Sequence, residues 1–135
     1  MKKIIAAISV LFICASAASI AVAGDDRFSV PRVAYVEPDN QTMVDLTNSD
    51  SLTFSWKSQP LPSGGRNSYR FKLYKGFGYD LVLSEAVNRD VFSIKVPADK
   101  FEDGATYTWR VQQRDDRNMI WSLFDSWSFK VLKKK

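Results

Sequence analysis

An all-β fold, a seven-stranded antiparallel β-sandwich, is predicted by three features of the sequence. Apolar and polar residues alternate with a period of two along several short runs, which is the pattern of strands with one buried side. Clusters of glycine, proline, asparagine and aspartate separate these runs and are typical of turns. No stretch shows an apolar stripe with the helical period. Seven such strands in about 100 residues indicate a sandwich.

The strands can be placed along the chain from their alternation. In the clear runs every second residue is aromatic or aliphatic, as with Leu52, Phe54 and Trp56. The clear runs cover residues 52–56, 69–73, 92–96, 107–111 and 127–131. Residues 32–36 and 81–87 show weaker patterns and supply the remaining two strands. Residues 98–102 are compatible with one helical turn.

The N-terminus has the pattern of a secretory signal peptide. Lys2 and Lys3 precede an uncharged apolar stretch that ends in an A-x-A cleavage signal at residues 21–23. We therefore expect cleavage after Ala23 and a periplasmic or secreted protein. A retained membrane anchor stays open as the alternative, because the uncharged residues 4–23 are long enough to span a bilayer.

One domain is expected after the leader. Residues 24–31 are interpreted as an N-terminal lead-in, residues 32–132 as the sandwich and residues 133–135 as a basic tail. The chain of 135 residues is of single-domain length, and it contains no internal repeat.

The composition excludes several classes of function. The chain contains no histidine, and its one cysteine, Cys14, belongs to the leader. Histidine-based general bases, Ser-His and Cys-His nucleophiles and zinc sites are therefore excluded. The carboxylates form no calcium-loop pattern, and a small sandwich without insertions rarely builds the cleft that a glycosidase needs. We expect no enzymatic activity, no catalytic residue, no metal and no cofactor.

The charge balance argues against a nucleic-acid ligand. The 19 lysines and arginines exceed the 15 aspartates and glutamates by only four. Without Lys2 and Lys3 of the leader the excess falls to two. So weak an excess is not typical of a nucleic-acid binder.

Three motifs resemble the fibronectin type III domain of exported bacterial proteins, within the immunoglobulin-like sandwich superfold. Residues 52–56, Leu-Thr-Phe-Ser-Trp, are similar to its second strand with a core tryptophan. Residues 101–111 are similar to its E–F corner, which implies that the Tyr107 hydroxyl bonds to the backbone a few residues upstream. Trp121-Ser122, followed by residues 127–131, is similar to the approach to its last strand. The resemblance implies the fold, and a fold does not specify a function.

Basic residues on three predicted strands are expected to form one surface, here called the cationic face. In the fibronectin type III fold the runs at 69–73, 107–111 and 127–131 lie side by side in one sheet, so their polar residues share its outer side. The predicted face consists of Arg70, Lys72, Tyr74, Arg110, Gln112, Arg114 and Lys130. Hardly any acid interrupts it, which favours an acidic partner. A merely solvated face is the alternative, because outward cations also keep a sheet soluble and unpaired.

Aromatic and apolar residues are expected on two exposed loops. The candidate loop contacts are Phe77, Tyr79, Met119, Ile120 and Trp121. Glycines flank Phe77, so a core position for both Phe77 and Tyr79 is not expected. Exposed loop aromatics can anchor a protein contact or stack on a sugar. Alternatively, one of them folds back over the end of the sandwich, and the second loop is an ordinary hairpin tip.

These features predict an exported, non-enzymatic binding or structural module that mediates protein–protein recognition in the cell envelope or outside the cell. We expect an unidentified envelope or extracellular protein as partner, no nucleic acid, and no stable membrane span once the leader is cleaved. The alternative is a carbohydrate-binding module for cell-surface or acidic polysaccharide, which an exposed row of aromatics would favour. A third hypothesis is an accessory subunit that adds a strand at an uncharged sheet edge. A spacer without a ligand is the remaining alternative.

Overall fold

The computed structural model describes residues 30–62 and 64–134. The predicted leader and residues 24–29 of the lead-in lie outside the described residues, so cleavage after Ala23 stays a prediction. Within those two ranges, no helix has the length and apolar character that a membrane crossing requires.

Nine strands are assigned in the described residues. They are β1 (Ala34–Glu37), β2 (Thr42–Asp45), β3 (Ser51–Lys57), β4 (Asn67–Lys75), β5 (Asp80–Val87), β6 (Ser93–Pro97), β7 (Thr106–Asp115), β8 (Ile120–Trp121) and β9 (Trp127–Leu132). All seven predicted strands are present, and the predicted helical turn is a 3-10 turn over Ala98–Lys100. The added strands, β2 and β8, contain four and two residues. Such short runs are too brief for alternation to identify them.

The strands form the two sheets of a sandwich. The smaller sheet has the order β1-β3-β6, and the larger sheet has the order β2-β9-β7-β4-β5, with β8 beside β7. Neighbouring strands are antiparallel except β2, which runs parallel to β9. The all-β antiparallel sandwich predicted from the sequence is therefore confirmed.

An aromatic core lies between the sheets. The Trp109 ring is fully buried; it stacks on Tyr35 at 4.5 Å between centroids and meets Phe54 at 5.3 Å. Large buried rings dominate the packing energy of a core. Every second residue of β4 and β7 is buried in this core. Because side chains alternate along a strand, the residues between them face outward.

The tyrosine corner that the resemblance implies is present. Tyr107 is 1% exposed, and its hydroxyl oxygen accepts a hydrogen bond of 2.8 Å from the Glu102 backbone N–H. This bond connects the start of β7 to the turn that precedes it.

A buried amide that the sequence analysis did not identify joins several segments at the other end of β7. Gln113 is fully buried, and its Oε1 accepts a hydrogen bond of 2.9 Å from Asn67 Nδ2. Its Nε2 donates to the backbone oxygens of Pro31 and Gln59 at 3.0 and 3.1 Å. Because an unpaired buried amide is costly, this network stabilises the register that places Arg114 on the outer side of β7.

The first residue of the predicted basic tail is bound to the sandwich. The Lys133 ammonium donates to the backbone oxygens of Ala98 and Phe101 at 3.0 and 3.3 Å. Its backbone N–H donates to Asp103 Oδ1 at 2.7 Å. Lys133 therefore stabilises the loop before β7 and is not a free cation.

Candidate functional site

The residues of the cationic face lie on one side of the larger sheet. β4 and β7 pair Arg70 with Gln112 and Lys72 with Arg110, and directly paired residues share a side. β9 brings Lys130 alongside by pairing it with Thr106. The intervening residues of β4 are buried, and the outward positions of β4, β7 and β9 include no aspartate or glutamate. These outward positions therefore form a positively charged surface that no acidic side chain interrupts.

Trp121 organises one end of the face. β8 pairs it with Arg114, and its ring centroid lies 5.7 Å from the guanidinium carbon of Arg70 and 5.6 Å from that of Arg114. These distances are within the range of cation–π attraction. Arg114 Nη1 also lies 4.0 Å from Asp116 Oδ1, an acid at the rim of the face. Trp121, predicted as a loop contact, therefore belongs to the face itself.

Arg110 lies at the centre of the face and is enclosed by neighbours. Its guanidinium carbon lies 4.8 Å from the Tyr74 ring centroid and 4.6 Å from that of Phe124. Its Nε donates to Ser126 Oγ at 2.9 Å. Gly78 packs so closely that a Cβ added there would lie 2.6 Å from Arg110 Nη2. Arg110 thus has a structural role in addition to its charge.

The segment between β8 and β9 supports this arrangement and was not identified from the sequence. The Tyr35 hydroxyl donates to the Asp125 backbone oxygen at 2.5 Å and accepts from the Val111 N–H at 2.8 Å. Burial raises the pKa of Tyr35 to about 12. Arg32 forms a 2.8 Å ion pair with Asp125. These contacts hold the segment that carries Phe124 across Arg110. The sequence signal for it was the apolar pair Leu123 and Phe124 within a polar loop.

Two lysines of the face have side chains that are available to bind a partner. Within the described ranges, the side chains of Lys72 and Lys130 make no hydrogen bond or ion pair. Lys72 lines a shallow groove of about 400 Å³ together with Arg70, Gln112 and Trp121. This groove, here called the Trp121 groove, combines two cations, an amide and an aromatic wall.

The predicted loop contacts separate into different places. Phe77 is 73% exposed and lines a second depression, of about 240 Å³, together with Lys130. Tyr79 is 98% exposed and projects from the β4–β5 turn. Met119 and Ile120 are exposed at the opposite end of the β4–β7 pair, where Met119 has a φ of 57°, uncommon for a residue other than glycine. Of the five residues, Trp121 joins the cationic face and Phe77 approaches Lys130.

The chemistry offered by the face is that of non-covalent recognition. It presents charged hydrogen-bond donors and aromatic rings, which bind carboxylates and apolar groups. The described residues contain no group of three or more histidine, cysteine, aspartate or glutamate side chains able to hold a metal ion.

Comparison with known proteins relates the chain to others by structure. No family model and no curated protein matches the sequence. The chicken CNTN1 FN1-FN3 domains match with a TM-score of 0.53 at 12% identity, over 78% of this chain and 34% of that one. The α-L-rhamnosidase from Dictyoglumus thermophilum matches with 0.53 at 14%, over 78% and 13%. The extracellular domain of BT3049 from B. thetaiotaomicron matches with 0.52 at 16%, over 79% and 16%.

These similarities show the fold. The chain has a fibronectin type III-like sandwich, as its resemblance to that family implied. It spans about a third of the CNTN1 chain and less than a fifth of the other two. At such identities the similarity carries the fold alone, because one sandwich architecture serves many functions.

Proposed function

We propose that this protein is an exported, non-enzymatic binding module that recognises an acidic surface of another envelope or extracellular protein through the cationic face. The predicted leader supports export. The fibronectin type III-like sandwich provides a rigid sheet that presents the face without needing a catalytic centre.

The observation that carries the proposal is the ordering of three arginines by aromatic rings, on outward strand positions of β4, β7 and β9 that include no acid. Trp121 holds Arg70 and Arg114, and Phe124 holds Arg110 against Tyr74. Long side chains normally lose conformational entropy when they bind a partner. Here folding has already ordered the three arginines, so binding should reduce their entropy less. A preordered set of cations is suited to an acidic protein surface.

The residue types around the face also favour a protein partner. Arginine, tryptophan, tyrosine and methionine are enriched in the centres of protein interfaces. Phe77, Met119 and Leu123 are 73%, 70% and 67% exposed on the segments that connect β4 to β5, β7 to β8 and β8 to β9. These apolar groups would become buried when a partner covers the cations.

A pair of charge-matched double variants tests the proposal. Replacing both Lys72 and Lys130 with glutamine removes from the face two cations that make no hydrogen bond or ion pair within the described residues. Replacing Lys57 and Lys95, which are exposed on the smaller sheet, removes the same charge elsewhere. The purified protein is immobilised and exposed to an envelope extract, with washes at low and high salt.

We expect one stoichiometric protein to be retained by the wild type and by the Lys57→Gln/Lys95→Gln variant. The Lys72→Gln/Lys130→Gln variant should lose it, as should the wild type at high salt, because the contact is electrostatic. Equal retention by both double variants would refute the cationic face as the binding surface.

A carbohydrate-binding module is the second candidate, because the face carries more aromatics than the sequence analysis placed there. Trp121 and Phe124 join Tyr74 on the face. A guanidinium already lies against each of these rings, which leaves less ring surface for a sugar to stack on. Retention of polysaccharide without protein in the same experiment would favour this function over the first.

A further inference from the structure

We propose that the Trp121 groove binds an extended acidic peptide segment whose carboxylates are held by Arg70 and Lys72. The inference rests on the proposed function and names the part of the partner that the face recognises. It is carried by the shape of the groove, by the spacing of its cations and by the ordering of Arg70.

The shape of the groove follows from the register of β4 and β5. β5 places Ala86 beside Arg70 and Ser84 beside Lys72, and both small residues are exposed. The Trp121 ring stands on the opposite side of the groove. The groove is thus bounded on the β8 side and open across β5, so an extended chain can enter over the edge of the sheet.

The spacing of the two cations matches that of a peptide in extended conformation. Arg70 and Lys72 are two residues apart on one strand, so their Cβ atoms are about 7 Å apart on the same side. Alternate side chains of an extended ligand repeat at the same distance. Two glutamates separated by one residue can therefore each meet one cation.

The remaining groups of the groove suit a peptide. Trp121 orients the Arg70 guanidinium, so the donor is ordered before the ligand arrives. Gln112 Nε2 donates to the Ser122 backbone oxygen at 2.9 Å, which directs the amide and leaves its Oε1 as an acceptor. A peptide has a backbone N–H to donate to that oxygen. No acid lines the groove, so a carboxylate meets no like charge.

Titration with a short oligoglutamate peptide tests the inference, with an oligoglutamine peptide of equal length as the uncharged control. Lys72→Gln removes one of the two cations, and Lys95→Gln removes the same charge from the smaller sheet. Ser84→Glu adds an acid beside Lys72, and Ser93→Glu adds one at an exposed strand position of the smaller sheet. All four positions are solvent-accessible strand sites, and thermal unfolding verifies that each variant is folded.

We expect oligoglutamate to bind and oligoglutamine not to bind. Lys72→Gln and Ser84→Glu should each weaken oligoglutamate binding by about tenfold, the effect of losing one charged hydrogen bond. Lys95→Gln and Ser93→Glu should leave the affinity unchanged.

Equal affinity across the four variants would overturn the inference, as would binding of oligogalacturonate in place of oligoglutamate. Such a result would refute the peptide groove without refuting the proposed function, which the envelope-extract experiment tests separately. The envelope protein would still be captured by the wild type and lost by the Lys72→Gln/Lys130→Gln variant, because a folded acidic surface can bind the face without inserting a peptide into the groove.

Discussion

At the residue scale, the cations of the face differ in whether they contribute to packing as well as to charge. Arg110 is enclosed by Tyr74, Phe124 and the β4–β5 turn, so its replacement would alter packing as well as charge. Lys72 and Lys130 carry charge without such contacts within the described residues. Loss of binding on replacing these lysines can therefore be attributed to charge, whereas loss on replacing Arg110 cannot.

Replacement of Tyr107 by phenylalanine should lower the free energy of unfolding by about 0.5–1.5 kcal/mol, the net contribution of one hydrogen bond. The ring would stay buried, while the Glu102 N–H would lose its acceptor. Urea unfolding measures the change. Tyr79→Phe is the matched control and should change nothing, because that side chain is 98% exposed. Equal effects of the two variants would show that the corner bond does not contribute.

At the element scale, the segment that links β8 to β9 decides the character of the face. β9 pairs with only the first part of β7, and β8 pairs with the last part. The intervening residues 122–126 leave the sheet and lay Phe124 over Arg110. A continuous last strand would have left Arg110 in contact with one ring instead of two.

The edge strand β5 does not favour the hypothesis of strand addition. It has eight residues and lies at one edge of the larger sheet, where an added strand would pair. It carries Asp80 and Glu85, although the hypothesis calls for an uncharged edge. Charged edge residues discourage pairing with another chain.

The β4–β5 turn requires glycine at position 78. Gly78 has a φ of 118°, and an added Cβ would lie 2.6 Å from Arg110 Nη2. Gly78→Ala should therefore lower the free energy of unfolding by about 1–3 kcal/mol. Gly76→Ala is the control in the same turn, with a φ of 76° and no atom within 4 Å of the added Cβ, and should cost about 1 kcal/mol. Equal losses in urea unfolding would contradict the greater strain at position 78.

At the scale of the whole molecule, charge is distributed unequally between the two sheets. The outward positions of β4, β7 and β9 hold Arg70, Lys72, Arg110, Arg114 and Lys130. Those of β3 and β6 hold Lys57 and Lys95. Positive charge is therefore concentrated on one face, which can steer an acidic partner toward it.

Stability should decrease at alkaline pH because of Tyr35. Its pKa is raised from 10.0 to about 12 in the folded protein, chiefly by burial, so folding favours the neutral phenol. The contribution of this pKa shift to the free energy of unfolding is fully present below pH 10 and is lost as the pH rises toward 12. The loss should amount to about 2–3 kcal/mol, measured by urea unfolding across this range. Tyr35→Phe should be less stable near neutrality and should show a shallower decline; an identical decline would exclude Tyr35 as the cause.

The sequence by itself determined the sandwich, its seven main strands and which basic residues of β4, β7 and β9 point outward. Alternation is a local property, and burial of residues such as Phe71 and Trp109 requires that Arg70, Lys72 and Arg110 face outward. The tyrosine corner was implied by the resemblance to the fibronectin type III domain, whose motif is contiguous here, and its hydrogen bond spans five residues.

Only the tertiary structure decided how that face is built. Phe124 and Trp121 reach it from outside the three predicted strands, and Ser84 and Ala86 open the groove because β5 lies beside β4 in a particular register. Buried Gln113 joins chain segments separated by up to 82 positions. Such contacts depend on how distant segments meet after folding, and the periodicity of a single strand carries no information about them.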